Sequence, residues 1–232
     1  MEELKQKEYQ AKQLLNRAEY KALQAQVNPH FLYNTLDTMA SIAEIRNCPE
    51  VSHMSQSLAL IFRYSLNMKN PFSTVEHEIA HLKNYTYVMD MRMHDNIQYT
   101  FDVDETTLKS KLPRLSLQPI VENAINHGLR NKRGKKKIGI QIKRKQMDLV
   151  ICIEDNGIGM DTSAINESLS KNELDFVEKG NSIGLHNINA RLKMLYGNTY
   201  GMYLESTLGE GTKVFMILPD SGEDSSNEEK DI

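Results

Sequence analysis

The chain has 232 residues, 40% hydrophobic and 25% charged, with a formal net charge of −3. That is the composition of a globular protein with enough chain for one large domain or two small ones, and it provides no global positive field for nucleic acid. Cys48 and Cys152 make no ligand-spaced pair and read as reduced thiols of a cytosolic chain; no apolar run is long enough to cross a bilayer, and no signal-peptide pattern opens the sequence.

Residues 2–26 are charged, rich in Ala and Leu, and free of Gly and Pro. Leu4, Ala11, Leu15, Ala18, Ala22 and Ala25 fall on alternating spacings of three and four, with Glu8 as the one polar interruption, the seam of a coiled coil or helix bundle. The pattern starts without a helix-start signal, as expected of a piece cut from a longer chain. After Pro29 it resumes through Leu32, Leu36, Met39 and Ile42 and stops near Asn47. Pro49 suits the first turn of a second helix, with Val51, Met54, Leu58, Ile61 and Met68 on its expected buried face. Two helices and a short link make a hairpin that buries little alone, so a second copy completing a four-helix bundle is expected. A third helix is expected over 74–93.

The pattern then changes. Ile97, Tyr99, Phe101 and Val103 alternate with polar residues and predict a strand, as do Ile138, Ile140, Ile142 and Leu149, Ile151, Ile153. Residues 115–129 read as a helix, 160–182 as a polar mobile loop, 185–196 as a helix closed by Gly197, and 203–206 with 213–218 as a final hairpin. The tail from Asp220 is acidic and reads as disordered. The expected fold class is α+β: a helical hairpin followed by helices on a mixed or antiparallel sheet.

Four short motifs carry chemistry. In Asp155-Asn156-Gly157-Ile158-Gly159-Met160 a carboxylate at a strand end can accept a hydrogen bond from an exocyclic amine, and two glycines let the backbone approach a ligand; a tight turn fits equally. In the segment 117–128, Asn123 and His127 are four apart on a helix and can face one ligand, Asn offering a neutral oxygen to a hard cation; a helix with a satisfied polar face is the plainer reading. Gly180-Asn181-Ser182-Ile183-Gly184-Leu185 opens a helix, whose N–H groups attract phosphate or are simply capped. Gly209-Glu210-Gly211-Thr212 is by itself a hairpin turn. No phosphate loop of the G-x-x-x-x-G-K-[ST] kind occurs.

In this order, on these elements, the motifs resemble the N, G1 and G2 boxes and terminal G-x-G-T of the GHKL (Bergerat-type) ATP-binding family. The segment 23–36, Leu-Gln-Ala-Gln-Val-Asn-Pro-His-Phe-Leu-Tyr-Asn-Thr-Leu, is similar to the phosphoacceptor box of LytS/YesM-type sensor histidine kinases, and 117–128 matches that family's N box. The resemblance covers roughly residues 20–219. It implies a dimerisation and phosphotransfer hairpin over 1–72, a connecting helix over 73–95, a GHKL α/β sandwich over 96–219 and a tail over 220–232. It implies ATP and Mg²⁺ as cofactors, with Asn123 as the metal ligand and Glu122 beside it. Asn126, His127 and Leu185 would contact the nucleotide, Asp155 would read the adenine amino group, and Gly157, Gly159, Gly184, Gly211 and Thr212 would shape the pocket. Residues 160–182 would form the ATP lid. His30 would be the phosphorylated nucleophile, with Asn34 orienting the imidazole or a water. A homodimer, a response-regulator receiver domain and an upstream membrane sensor absent from this sequence are the implied partners, which makes the chain the cytoplasmic, soluble part of an anchored protein.

Departures sharpen these expectations. Asn126 stands where many relatives carry a basic residue. Pro119 stands where GHKL hydrolases carry a catalytic glutamate, which favours transfer to a protein nucleophile over hydrolysis. Phe31 follows His30 where another kinase class has an acid, so no proton acceptor is evident. An interior proline costs about 3 kcal/mol or more, and Pro29 is either a static kink or a hinge that repositions His30. The competing reading is a dimeric scaffold that binds nucleotide or regulator without transfer; a serine-directed kinase would not need the His30 hairpin.

Two signals point elsewhere. His77-Glu78-Ile79-Ala80-His81 is a literal H-E-x-x-H, the zinc-protease signature, but both histidines fall opposite the apolar Ile79 and Leu82 and are expected in solvent. The basic run 130–137 has no interleaved aromatics and reads as a solvated loop, not a nucleic-acid site. His53, His94 and His186 are expected to be structural or superficial.

Overall fold

A computed structural model describes residues 29–66, 70–93, 96–171 and 183–220. It forms two compact units, Met1–Leu66 and Asn67–Ile232. The seam expected over 2–26, and with it any hinge action at Pro29, lies outside the described residues, as do His94, the expected lid beyond 171 and the tail from 221.

The first unit is a hairpin of α1 (Pro29–Ile45) and α2 (Pro49–Leu66), and α2 opens on a proline whose missing N–H costs nothing there. Asn47 ends α1 with a left-handed φ of 53°. The Cys48 N–H then reaches the Ala43 carbonyl and the Asn47 N–H that of Glu44, the paired bonds of a Schellman turn. Apart from Leu36, the buried side is made of small residues: Ala40 and Ala43 on α1, and Ser52, Ser55, Ser57 and Ala59 on α2. Small side chains let the two helices approach closely. The large apolar residues expected to be buried lie elsewhere: Met39, Ile42 and Val51 are exposed and Met54, Leu58 and Ile61 half-buried.

The second unit begins with β1 (Phe72–Thr74), leading directly into α3 (Val75–Met93), β2 (Gln98–Val103), β3 (Lys111–Pro113) and α4 (Gln118–Asn123). It continues with β4 (Lys137–Lys145), β5 (Asp148–Asp155), α5 (Ser163–Lys171), α6 (Ile183–Tyr196), β6 (Gly201–Thr207) and β7 (Gly211–Pro219). The main sheet has the order β2-β4-β5-β7-β6, with β2–β4 parallel and the other pairs antiparallel; β1 and β3 form a separate antiparallel pair. Alternation puts Ile138, Ile140 and Ile142, Leu149, Ile151 and Ile153, and Val214, Met216 and Leu218 into one core with Leu82, Ile120, Ile125 and Leu192 from the helices.

Three expectations change. The boundary falls between Leu66 and Asn67, and α3 does not merely connect: Val75, Ile79, Leu82 and Met89 belong to the core of the second unit. The region expected to be loop contains α5, whose Leu169 is buried and whose Asn166 side chain bonds both the N–H and the carbonyl of Leu204. The helix expected over 115–129 starts at Gln118, because Leu115 is left-handed at φ 56°, and it ends as a π turn over Ala124–Gly128.

Candidate active site

The second unit holds a cavity of about 470 Å³, the size of a small-molecule site. One wall is α4 with its π turn, bringing Ile120, Asn123, Ala124, His127 and Gly128 to the surface of the cavity. The end of β5 supplies Ile153 and Asp155, and the loop after it Ile158, Gly159 and Met160. Ile165 of α5, Leu185 of α6, Leu204 of β6 and Thr212 and Val214 of β7 close it. The lining is mainly apolar with a few convergent polar groups, the chemistry that holds a flat, partly polar base.

Asp155 is the central charge. It is 6% exposed, and its Oδ1 accepts the Gly157 N–H at 2.7 Å. Burial pushes its carboxyl above the usual aspartate range, while the backbone N–H groups of Gly157 and Thr212 and the charge of Lys132 pull it back part of the way. Gly157 is required by space: a Cβ there would stand 2.5 Å from Asp155 Oδ1 and overlap the Gly128 carbonyl. Gly159 is required by conformation, with φ 65°.

Asn123 is half-buried, lines the cavity, and its Nδ2 has no hydrogen-bond partner. A buried amide without a protein partner is costly, and a ligand in the cavity would meet that demand. The π turn is closed by the Leu129 N–H on the Ala124 carbonyl at 2.8 Å. Such turns widen the helix locally and recur at functional sites. Here Asn123 and His127 both reach the cavity.

Of the residues expected in the site, the lining brings together Asn123, His127, Asp155, Gly159, Leu185 and Thr212. Gly157 and Gly211 pack behind it on Asp155. Glu122, Asn126 and Gly184 are not part of the lining; Glu122 is exposed, and Gly184 has ordinary room for a side chain. Sequence reasoning missed the apolar walls at Ile158, Met160 and Ile165. It also missed Ser206, whose hydroxyl accepts the Met160 N–H, donates to the Gly211 carbonyl and touches the Thr212 hydroxyl. A hydroxyl two residues into a hairpin carries no sequence signal of its own.

In the first unit His30 is exposed near the start of α1, and the Asn34 amide lies 3.2 Å from its Nδ1. The i, i+4 spacing on an unbroken helix makes that contact.

Of the two H-E-x-x-H histidines, His77 meets the expectation of exposure and His81 does not. His77 is exposed and pairs with the Thr74 hydroxyl at the start of α3. His81 is 4% exposed and its ring Nε2 donates to Gln118 Oε1 at 2.7 Å. Burial lowers its pKa. The helix packs on more than one side, so the face opposite Ile79 is also interior. Among the described residues no three His, Cys, Asp or Glu side chains form a metal-holding group.

Known proteins are similar to the chain over most of its length. Residues 18–97 match the family described as "Histidine kinase", and residues 111–222 match "Histidine kinase-, DNA gyrase B-, and HSP90-like ATPase". The chain belongs to the histidine kinases. It is 34% identical over 217 residues to the sensor histidine kinase YesM of Bacillus subtilis, covering 94% of this chain and 36% of that protein. It is 33% identical over 213 residues to the sensor protein LytS of Oceanobacillus iheyensis, covering 90% of this chain and 35% of that one. The chain thus spans about a third of the length of these relatives. A solved catalytic domain of histidine kinase ThkA superposes with a TM-score of 0.47 at 16% identity, over 64% of this chain and 97% of that one. Among the described residues no helix is long and apolar enough to cross a membrane.

Proposed function

We propose that this chain is the catalytic core of a membrane-anchored two-component sensor: it transfers the γ-phosphoryl group of ATP to His30 and then to an aspartate of a response-regulator receiver domain. The observation that carries the reading is the cavity itself, where a buried Asp155 carboxylate and an unpartnered Asn123 amide face one space. Asp155 accepts a hydrogen bond from the adenine amino group, held for it by the N–H groups of Gly157 and Thr212. The apolar walls, with Ile153 and Leu185, take the faces of the base. His127 and Thr212 stand on the polar side.

The residues fit a magnesium ion held mainly by the nucleotide. Asn123 would hold it through its amide oxygen, and no acidic cluster is needed, because Mg²⁺ keeps several waters and takes its other ligands from phosphates. When bound it neutralises charge on the phosphate oxygens.

At the nucleophile, the Asn34 amide offers the ring its N–H or, after a half-turn, its oxygen. The oxygen holds Nδ1–H and leaves the Nε2 lone pair free to attack. The new bond is Nε2–P; the bond that breaks joins the γ-phosphorus to its bridging oxygen, and ADP leaves with that electron pair. The exposed ring passes its remaining proton to water, so no neighbouring acid is needed in the place of Phe31. The N–P bond is labile, which suits onward transfer to a carboxylate.

The hairpin completes itself with a second copy. Phe31, Met39, Ile42 and Ile45, all exposed, recur on α1 at bundle spacing. Incubation with γ-labelled ATP and Mg²⁺ tests the reading. An acid-labile, alkali-stable label is expected, absent from His30→Gln while that variant still binds ATP; label retained in His30→Gln would overturn the assignment.

A further inference from the structure

Two side chains of the 77–81 segment take no part in the cavity, yet both face inward onto the helix that carries Asn123. Glu78 is 1% exposed. Its Oε1 accepts the Leu115 N–H at 2.7 Å, and its Oε2 accepts those of Ser116 at 3.0 Å and Leu117 at 3.2 Å. These residues lead into α4, and Leu117, its N-cap, makes no side-chain cap of its own. The anion that serves the free N–H groups there therefore comes from another helix, 37 residues earlier. Three residues on, His81 binds the Gln118 side chain, so α3 grips both the chain before α4 and its first residue.

A third element joins. Arg191 of α6 donates from Nη2 to the Ser116 hydroxyl at 2.8 Å, and that hydroxyl donates to the Pro113 carbonyl at 2.6 Å. Burial lowers the pKa of Arg191 while the charge of Glu78 raises it, which places the two charges within electrostatic reach. Burial and the charge of Arg114 lower the pKa of His81, against the pull of Gln118 and Glu78.

Asn123 stands five residues after Gln118, about 7.5 Å along the helix axis. Over so short a length a slide or rotation at the start of α4 reaches Asn123 almost undiminished. We propose that Glu78, supported by Arg191 through Ser116, is a positioning residue that holds Asn123 where it meets the nucleotide-bound metal. This rests on the reading of Asn123 as the Mg²⁺ ligand. The zinc-protease look-alike is, on this view, the grip on the metal-binding helix.

The test uses the full 232-residue chain and Glu78→Gln, which keeps the size but turns an NH₂ toward backbone donors. Hydrogen exchange without nucleotide is expected to rise about tenfold or more over 115–123, with β4 and β5 protection unchanged. The gain in ATP affinity on adding Mg²⁺ is expected to fall about tenfold, while affinity in EDTA stays within about twofold, because Asp155 is untouched. Unchanged exchange would overturn the proposal. So would equal loss of affinity with and without Mg²⁺, which would make Glu78 a folding residue only. If the unsubstituted chain gains no ATP affinity from Mg²⁺, the metal reading of Asn123 fails, and the exchange result still decides whether Glu78 fixes α4.

Discussion

The two units put their large apolar side chains in opposite places. In the sheet unit Leu82, Ile120, Ile140, Ile151 and Leu192 are sealed inside, and every layer of the core is supplied by the same chain. In the hairpin the interior is Ala and Ser around the single Leu36, while Phe31, Met39, Ile42, Ile45, Val51 and Leu60 remain exposed. A fully buried large apolar side chain contributes about 1.5–3 kcal/mol. The sheet unit collects this within itself, whereas the hairpin leaves much of its large apolar surface uncovered. On the proposed reading, the part that binds nucleotide is self-sufficient and the part that carries the nucleophile gains its burial from a second copy.

The largest effect expected from breaking this contrast is at Ile42. Ile42→Glu removes an apolar contact from both copies of a bundle seam, about 3–6 kcal/mol per dimer. Light scattering is expected to show a monomer at micromolar concentration with unchanged ATP affinity; an intact dimer would mean that this face is not the seam.

Next is Asp155. Asp155→Asn turns a charged acceptor into a neutral amide, and the lost hydrogen bond of about 1.5–3 kcal/mol weakens ATP binding about 10- to 100-fold by calorimetry. Stability is expected to move the other way. Burial raises the folded pKa above its ordinary value of 3.8, so the native state holds this proton more tightly than the unfolded chain. Stability therefore falls as pH rises from that ordinary value through the raised one, and the cost stands in full only above the raised value. Asp155→Asn is expected to melt higher than the parent at pH 7, with the difference shrinking on acidification; a lower melting point at pH 7 would show that its hydrogen bonds outweigh its burial.

The smallest effect is at Gly128. An added Cβ would stand 2.7 Å from Asp155 Oδ1 and 2.9 Å from its Cγ. Gly128→Ala is expected to cost about 1–3 kcal/mol in denaturant melts, with weaker ATP binding, and to leave the hairpin dimer untouched.

Legibility from sequence followed the same division. The five strands of the main sheet were legible because alternation is local: Ile138, Ile140 and Ile142 mark a face whatever packs on it, whereas the three-residue β1 and β3 are too short to show a pattern. Asp155, Gly157 and Gly159 were legible because a strand end, a carboxylate and two glycines lie within five residues. Leu115–Leu117 read as helix because nothing local shows that a carboxylate 37 residues away holds them outside it. Met39 and Ile42 read as buried because periodicity identifies an apolar stripe without saying which molecule covers it. His81 was expected in solvent because a helical wheel assumes one buried face, and α3 has more than one.

The sequence by itself determined the family, the alternation of the sheet, and the spacing of His30, Asn123 and Asp155, since all of these are written in neighbouring residues. Only the tertiary structure decided that α3 is core, that part of the expected loop is the helix α5 held by Asn166, that α4 ends in a π turn, and that Glu78 and His81 grip the helix bearing Asn123. Each of those depends on contacts between residues far apart in the chain, which become specific only when several packed elements fix them together.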